Sequence, residues 1–225
     1  MISRIEDLLG KTFLTLVFFY LALQQVASIV AVIRFRESIE FWPLVLSSRL
    51  LGLLFLCLVV GLTVVRLPPR RSAEGIEPRL SALAGTFGLM VLIVLPRGTA
   101  GPGMLVASTV LALIGTALSI YCLFWLGRSF SVMASARKLV VTGPYAIVRH
   151  PLYAAEAISA VGFLIANWSL AALLVGAAHF AFQLRRMFNE ERVLRRTFPE
   201  YDSYASSVPM LIPRPLTPVA RAEEG

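Results

Sequence analysis

The chain has 225 residues, of which 57% are hydrophobic and 15% charged, with a formal net charge of +8. Soluble domains carry about 25% charged residues, so the composition excludes an ordinary water-soluble fold and indicates a membrane protein. No basic patch is interleaved with aromatic residues, which excludes a nucleic-acid partner, and Cys57 and Cys122 lack a second thiol or a His at ligand spacing, which excludes disulfide and metal roles.

In chain order, the apolar residues come in blocks. Phe13 to Ile33 is the first, broken only by Gln24, Gln25 and small hydroxyls; it is too long for a signal sequence and no cleavage site follows it. Leu44 to Val65 is the second, interrupted by Arg49; Leu80 to Leu95 is the third and Met104 to Leu126 the fourth. At about 1.5 Å per residue, about twenty-one residues cross the roughly 30 Å hydrocarbon core. Four transmembrane helices are predicted. Gln24 and Gln25 are expected to join helices, and Arg49 to pair across the bundle or snorkel.

The fifth apolar region differs. Leu152 to Ala166 is shorter, Asn167-Trp168-Ser169 reads as a turn, and Ser169 to Met187 runs back and continues without a breaker through Glu190, Glu191 and Leu194. This predicts a C-terminal transmembrane helical hairpin whose second arm projects from the membrane. Pro151 suits the first turn of the incoming arm, where its missing N–H costs nothing. The expected fold is an all-α integral membrane protein: a four-helix scaffold over residues 1–126, a catalytic region with hairpin and lid over 127–213, and a flexible tail over 214–225.

With the N-terminus inside, all basic residues except Arg34, Arg36, Arg49 and Arg97 fall on inner segments. The positive-inside rule then predicts a multi-pass protein of the inner membrane with both termini cytoplasmic.

Chemistry-bearing residues gather at the inner ends of the last helices. Arg149-His150-Pro151-Leu152-Tyr153 follows Gly143-Pro144-Tyr145, and Asn189-Glu190-Glu191-Arg192 comes about forty residues later. Ionisable groups beside hydrocarbon are expensive, so a functional reading is the default. Taken singly, each piece has a bland reading: Arg149 and His150 as interfacial anchors, Tyr153 as part of an aromatic belt, Glu190 and Glu191 as a solvated, salt-bridged face. The hairpin brings the pieces to one side of the membrane, which favours a site. Glu156 could serve that site, pair with Arg185 or Arg186, or snorkel; His179 is expected to be a helix–helix hydrogen-bond partner. The segment from Tyr201 through Tyr204 to Pro213 reads as an amphipathic interfacial stretch or as a lid.

As a set, Gly143-Pro144-Tyr145, Arg149-His150-Pro151-x-Tyr153, Glu190-Glu191 and Tyr201-x-x-Tyr204 resemble the isoprenylcysteine carboxyl methyltransferase family and its phospholipid methyltransferase relatives, over roughly residues 140–213. The resemblance implies methyl transfer from S-adenosylmethionine to a lipophilic or prenylated acceptor, with the cofactor in a cytosol-facing pocket between the C-terminal helices. Carried over by position, His150, Tyr153 and Tyr204 would contact the cofactor, and Leu139, Val140, Gly143, Pro144 and Tyr145 would line it. Glu190 and Glu191 would bind its amino-acid end or order the arginines. Ala154-Ala155-Glu156 departs from the apolar residues common after this Tyr, which leaves the lipid tunnel open.

The chemistry suits a site without a nucleophile or metal. A carboxylate acceptor is already ionised at neutral pH, so alignment in an enclosed site is what catalysis requires. The guanidinium fork is the natural clamp for a carboxylate; Arg186 is the first candidate and Arg149 the second. An amine or thiol acceptor would need Glu156 or Glu190 as base. The competing readings are a sterol-reductase-like oxidoreductase binding NADPH, and a non-enzymatic membrane protein.

Overall fold

The structure, a computed structural model, describes residues 2–95 and 98–213. Arg97 and the predicted tail lie outside the described residues. The molecule is mostly helical. Helix α1 spans Ile2–Arg34, α2 Trp42–Val65, α3 Glu77–Phe87, α4 Pro102–Leu126, α5 Pro151–Ala166, α6 Leu170–Thr197 and α7 Tyr201–Ser207. Among the described residues, three helical stretches are long and apolar enough to cross a membrane: Asp7–Arg34, Trp42–Val65 and Pro102–Ser129. Apolar side chains such as Leu16, Phe19, Leu54 and Phe124 point outward on them. A helix apolar on every face is built for lipid or a deep core.

The third predicted span is corrected. Instead of one long helix over Leu80 to Leu95, the chain forms the 11-residue α3 and then a 3-10 segment over Gly88–Ile93. Gly85, Thr86 and Gly88 are weak helix formers at the point where α3 gives way. The small buried face of α3, Ser81, Ala82 and Gly85, instead packs on α6.

The all-α expectation also needs amending. Strands β1 (Arg71–Ser72) and β2 (Ser135–Ala136) pair antiparallel, Arg71 with Ala136 and Ser72 with Ser135. Two-residue strands leave no readable alternation. The ribbon nevertheless pins the α2–α3 connection to the polar segment after α4.

The main core joins Leu14 and Phe18 of α1, Val59 of α2, Cys122 and Leu123 of α4, then Phe130, Val132 and Leu152. Gln25 Nε2 donates to the Arg49 carbonyl at 2.9 Å, tying α1 to α2 as expected. Helices α4 and α5 approach closely because a Cβ at Gly115 would lie 2.3 Å from Ser159 Oγ and one at Gly162 2.7 Å from the Ser108 carbonyl. Small residues at such crossings let helix backbones touch where lipid offers no hydrophobic drive. At one end of the bundle Asp7 accepts from Arg66 at 2.7 Å and Arg137 at 3.0 Å, so one carboxylate ties the start of α1 to the end of α2 and the segment after β2.

Candidate active site

Helix α5 starts at Pro151, as predicted, with His150 as its N-cap residue. The preceding 3-10 turn, Gly143–Ala146, is fixed by Gly143, whose φ of 61° lies in the left-handed region and whose Cβ position would fall 2.3 Å from the Trp125 ring. Only glycine combines that backbone with so close an approach. The turn therefore seats Tyr145 against the end of α4.

Helices α5 and α6 meet through Asn167, Trp168 and Ser169, and Ser169 Oγ caps α6 by accepting from the Ala172 amide at 3.1 Å. The two helices run antiparallel, with Leu164 beside Gly176, Gln183 Nε2 donating to Glu156 Oε2 at 3.1 Å, and the Tyr153 hydroxyl donating to Glu190 Oε1. The rings of His150 and Tyr153 meet edge to face, centroids 5.4 Å apart at 84°. On the same tyrosine ring sits the Arg186 guanidinium, 5.0 Å from its centroid. Arg186 Nε lies 3.6 Å from Glu190 Oε1, an ion-pair distance without a hydrogen bond, and Nη1 donates to Thr86 Oγ1 at 3.3 Å.

The C-terminal segment closes over this group. Arg149 Nε donates to Glu191 Oε1 at 2.8 Å, while Nη1 donates to the carbonyls of Ala205 at 2.7 Å and Val208 at 2.6 Å. The Arg149 and His150 amides donate to the carbonyls of Pro209 and Met210 at 2.8 and 3.0 Å. Arg149, the second candidate for the acceptor clamp, thus directs its guanidinium at Glu191 and the lid. His150 Nε2 lies 3.3 Å from Glu191 Oε1, its donor or acceptor role set by the tautomer. Burial pushes the Glu191 carboxyl up, but hydrogen bonds from His150 and Arg149, with their charges, outweigh it and hold the group at about 2. The Tyr204 hydroxyl donates to the Tyr145 carbonyl at 2.6 Å. Burial pushes the phenols of Tyr145 and Tyr204 up, the latter to about 12, so both stay neutral donors.

A cavity of about 100 Å³, lined by both polar and apolar side chains, lies against Tyr201 and Tyr204 of the C-terminal segment. Leu139, Val140, Tyr145, Arg149, His150, Tyr153, Arg186, Glu190 and Tyr204 all line it. Of the site residues read from sequence, Gly143 and Pro144 shape the turn behind Tyr145, and Glu191 stands one hydrogen bond away, behind Arg149 and His150. The sequence reading missed the opposite wall, which includes Leu126, Ser129, Ser131, Ser135, Arg137 and Lys138. The signal was present: spaced hydroxyls and two cations in a polar stretch between apolar runs.

The lining offers the kinds of group that the S-adenosylmethionine implied by the resemblance would need. Lys138 and Glu190 offer charges of both signs for an amino-acid zwitterion, Arg137 being engaged with Asp7, and apolar Leu126, Phe130 and Met133 offer a surface for a base. The buried Tyr145 hydroxyl has no hydrogen-bond partner among the described residues. Ligand pockets usually measure roughly 300–1,000 Å³, so the cavity as it stands is smaller than such a molecule needs.

A second cavity, apolar and of about 500 Å³, lies between helices α1 to α6 and the 3-10 segment. Phe18, Phe55, Phe87 and Phe163 face it, with Glu156, His179 and Gln183 among them. Glu156 therefore pairs with Gln183 rather than with an arginine hydrogen bond. His179 Nδ1 has no hydrogen-bond partner among the described residues, against the expected interhelical bond. Arg186 and Phe130 line both cavities.

Comparison with known proteins bears on this arrangement. Residues 99–201 match the phospholipid methyltransferase family model. The match takes in α4, both motif segments and the start of the lid, and it bears out the methyltransferase resemblance over that region. It implies methyltransferase activity in general and names no acceptor. The chain is also similar to the nickel-cobalt-cadmium resistance protein NccN of Alcaligenes xylosoxydans xylosoxydans, 37% identical over 34% of this chain and 37% of that protein. It is similar to the cobalt-zinc-cadmium resistance protein CzcN of Cupriavidus metallidurans, 33% identical over 46% of this chain and 48% of that protein. The matched region spans about half the length of these relatives or less.

Proposed function

We propose that this membrane protein transfers a methyl group from S-adenosylmethionine to the carboxylate of a lipophilic acceptor. One observation carries the reading: Arg186 lines both the smaller cavity against the C-terminal segment and the apolar chamber between the helices. A guanidinium at that junction is placed to hold a lipid's acidic end while the tail lies in the chamber and the cofactor lies under the lid.

When bound, the cofactor supplies an already activated methyl group on a sulfonium. Tyr145, His150, Tyr153, Glu190 and Tyr204, with the backbone at Leu139 and Val140, would hold it. Arg186 is pre-positioned by the Tyr153 ring, Thr86 and Glu190, so little ordering remains when its fork meets a carboxylate. Glu191 orients Arg149 and His150, and Arg149 latches the lid, which excludes water and strengthens every charge interaction beneath it. No general base is needed for a carboxylate acceptor. The distribution of basic residues supports both termini and the lid facing the cytoplasm, in an inner-membrane protein. The two relatives carry names of metal-resistance proteins; on this reading, any such role of this chain would run through modification of a lipophilic molecule.

The test is calorimetric titration of the detergent-solubilised protein with S-adenosylhomocysteine, with NADPH in parallel. Saturable binding of the former, lost in His150→Ala, is expected. Binding of NADPH alone would move the protein to the reductase class, and binding of neither by folded protein would leave architecture without the activity.

A further inference from the structure

On α6, His179, Gln183, Arg186 and Glu190 follow one another at spacings of four, three and four residues, one face of a helix. The last two line the smaller cavity. The first two carry a polar stripe onward into the apolar chamber, where the carboxyl-methylation reading assigns only hydrocarbon. His179 and Gln183 are each 7% exposed and Arg186 5%, yet His179 Nδ1, Gln183 Oε1 and Arg186 Nε have no hydrogen-bond partner among the described residues. All three side chains line the chamber.

Buried polar atoms are nearly always satisfied, and leaving them unsatisfied is costly. The pattern of the open valences says what would satisfy them. Gln183 Nε2 is committed to Glu156 Oε2 at 3.1 Å, which fixes the amide so that its oxygen is the free end. That oxygen accepts only, so its partner must donate. His179 Nδ1 donates or accepts according to its tautomer. With the proton on Nδ1, a hydroxyl matches the pair, donating to the Gln183 oxygen and accepting from His179; an ether, ketone or bare hydrocarbon does not. Gly85 keeps the place open, because a Cβ there would lie 2.8 Å from Gln183 Oε1.

We infer that the chamber selects an acceptor bearing a second polar group: a long-chain acid whose hydroxyl sits between Gln183 and His179 while its carboxylate meets Arg186. At about 1.5 Å per residue, Gln183 lies about 4.5 Å and His179 about 10 Å from Arg186 along the helix, so the hydroxyl belongs at an intermediate carbon of the chain. The inference rests on the carboxylate-at-Arg186 reading and adds the class of molecule that the site prefers.

The experiment uses the full-length protein in detergent and the fluorescent polyene cis-parinaric acid as probe. Stearic acid and a series of hydroxystearic acids, with the hydroxyl moved from the third to the twelfth carbon, compete for the chamber. One intermediate isomer should displace the probe at least about tenfold better than stearic acid, the value of one satisfied buried polar group. His179→Leu, Gln183→Met and Gly85→Ala should each flatten that preference while stearic acid still binds. Equal displacement by all isomers in the wild-type protein, or no binding of the probe, overturns the inference, and neither outcome depends on a variant folding. Titration with S-adenosylhomocysteine in parallel separates the two claims. Hydroxyl preference without cofactor binding would sink the methyltransferase reading alone; cofactor binding with no hydroxyl preference would sink this one alone.

Discussion

Oxygen Oε1 of Glu191 accepts from Arg149 Nε at 2.8 Å and lies 3.3 Å from His150 Nε2. One carboxylate oxygen thus couples the residue that latches the lid to the residue that faces the cavity, and protonating it loosens both.

That coupling predicts a pH dependence. Glu191 is held at about 2 against an ordinary 4.5, so the unfolded chain takes up this proton first as the medium acidifies. Its contribution to stability is complete above about pH 4.5 and is lost as pH falls toward 2. The midpoint of thermal unfolding, followed by tryptophan fluorescence, should be higher in the wild type than in Glu191→Gln at neutral pH. That gap should narrow as pH falls from about 5 and close near pH 2. A gap that stays constant on acidification would remove Glu191 from the latch.

Arg149→Ala should open the lid. Its guanidinium makes one bond to a carboxylate and two to carbonyls, and hydrogen bonds to charged groups contribute about 1.5–3 kcal/mol each. Losing about 3 kcal/mol raises the open population roughly a hundredfold. Limited proteolysis should then cut between Tyr201 and Pro213 far faster than in the wild type, with the transmembrane core still intact. Unaltered cleavage would mean that the lid is held by Tyr204 and the Tyr201 cluster instead.

Much of this was legible in the sequence, for identifiable reasons. Long apolar runs reveal α1, α2 and α4 because lipid-facing helices are apolar on every side. The wall of the cavity built from residues 139–153 and 190–204 is local to two motifs, so its members could be named. The third apolar run could not be read correctly, because its length and hydropathy suit a span while Gly85 and Gly88 end the α-helix partway along. The chamber was invisible for a different reason. Its walls come from Phe18, Phe55, Phe87 and Phe163, residues far apart in sequence, each of which reads as ordinary core. His179 was noticed, but whether its nitrogen finds a partner depends on what α3 and α5 place opposite it.

Arg186→Lys should separate chemistry from cofactor binding. Lys keeps the charge but loses the fork that would grip both oxygens of a carboxylate and the plane that stacks on Tyr153. Methyl transfer should fall by about tenfold or more, the worth of one lost charge-assisted bond, while affinity for S-adenosylhomocysteine stays within about twofold. Equal losses in both would reassign Arg186 to the cofactor.

Gly143→Ala should cost about 1–3 kcal/mol from the left-handed backbone, in addition to the collision with Trp125. A double-mutant cycle divides the two contributions. In a Trp125→Ala background the same substitution should lower the unfolding midpoint less, because the collision is gone and only the backbone cost remains. Strict additivity would mean that the indole moves aside freely and does not position the turn.

The latch has a consequence for how this protein can drift in sequence. Every acceptor that Arg149 and His150 engage in the closing segment is a main-chain carbonyl, at Ala205, Val208, Pro209 and Met210. The closure reads the path of the chain and ignores the side chains it carries. Ala205 packs on the cluster around Tyr201 and Phe198, but residues 206–212 can be exchanged more widely, to suit one membrane interface or another, as long as the segment keeps its length and its bends. A single inserted residue there should do more harm than many substitutions together.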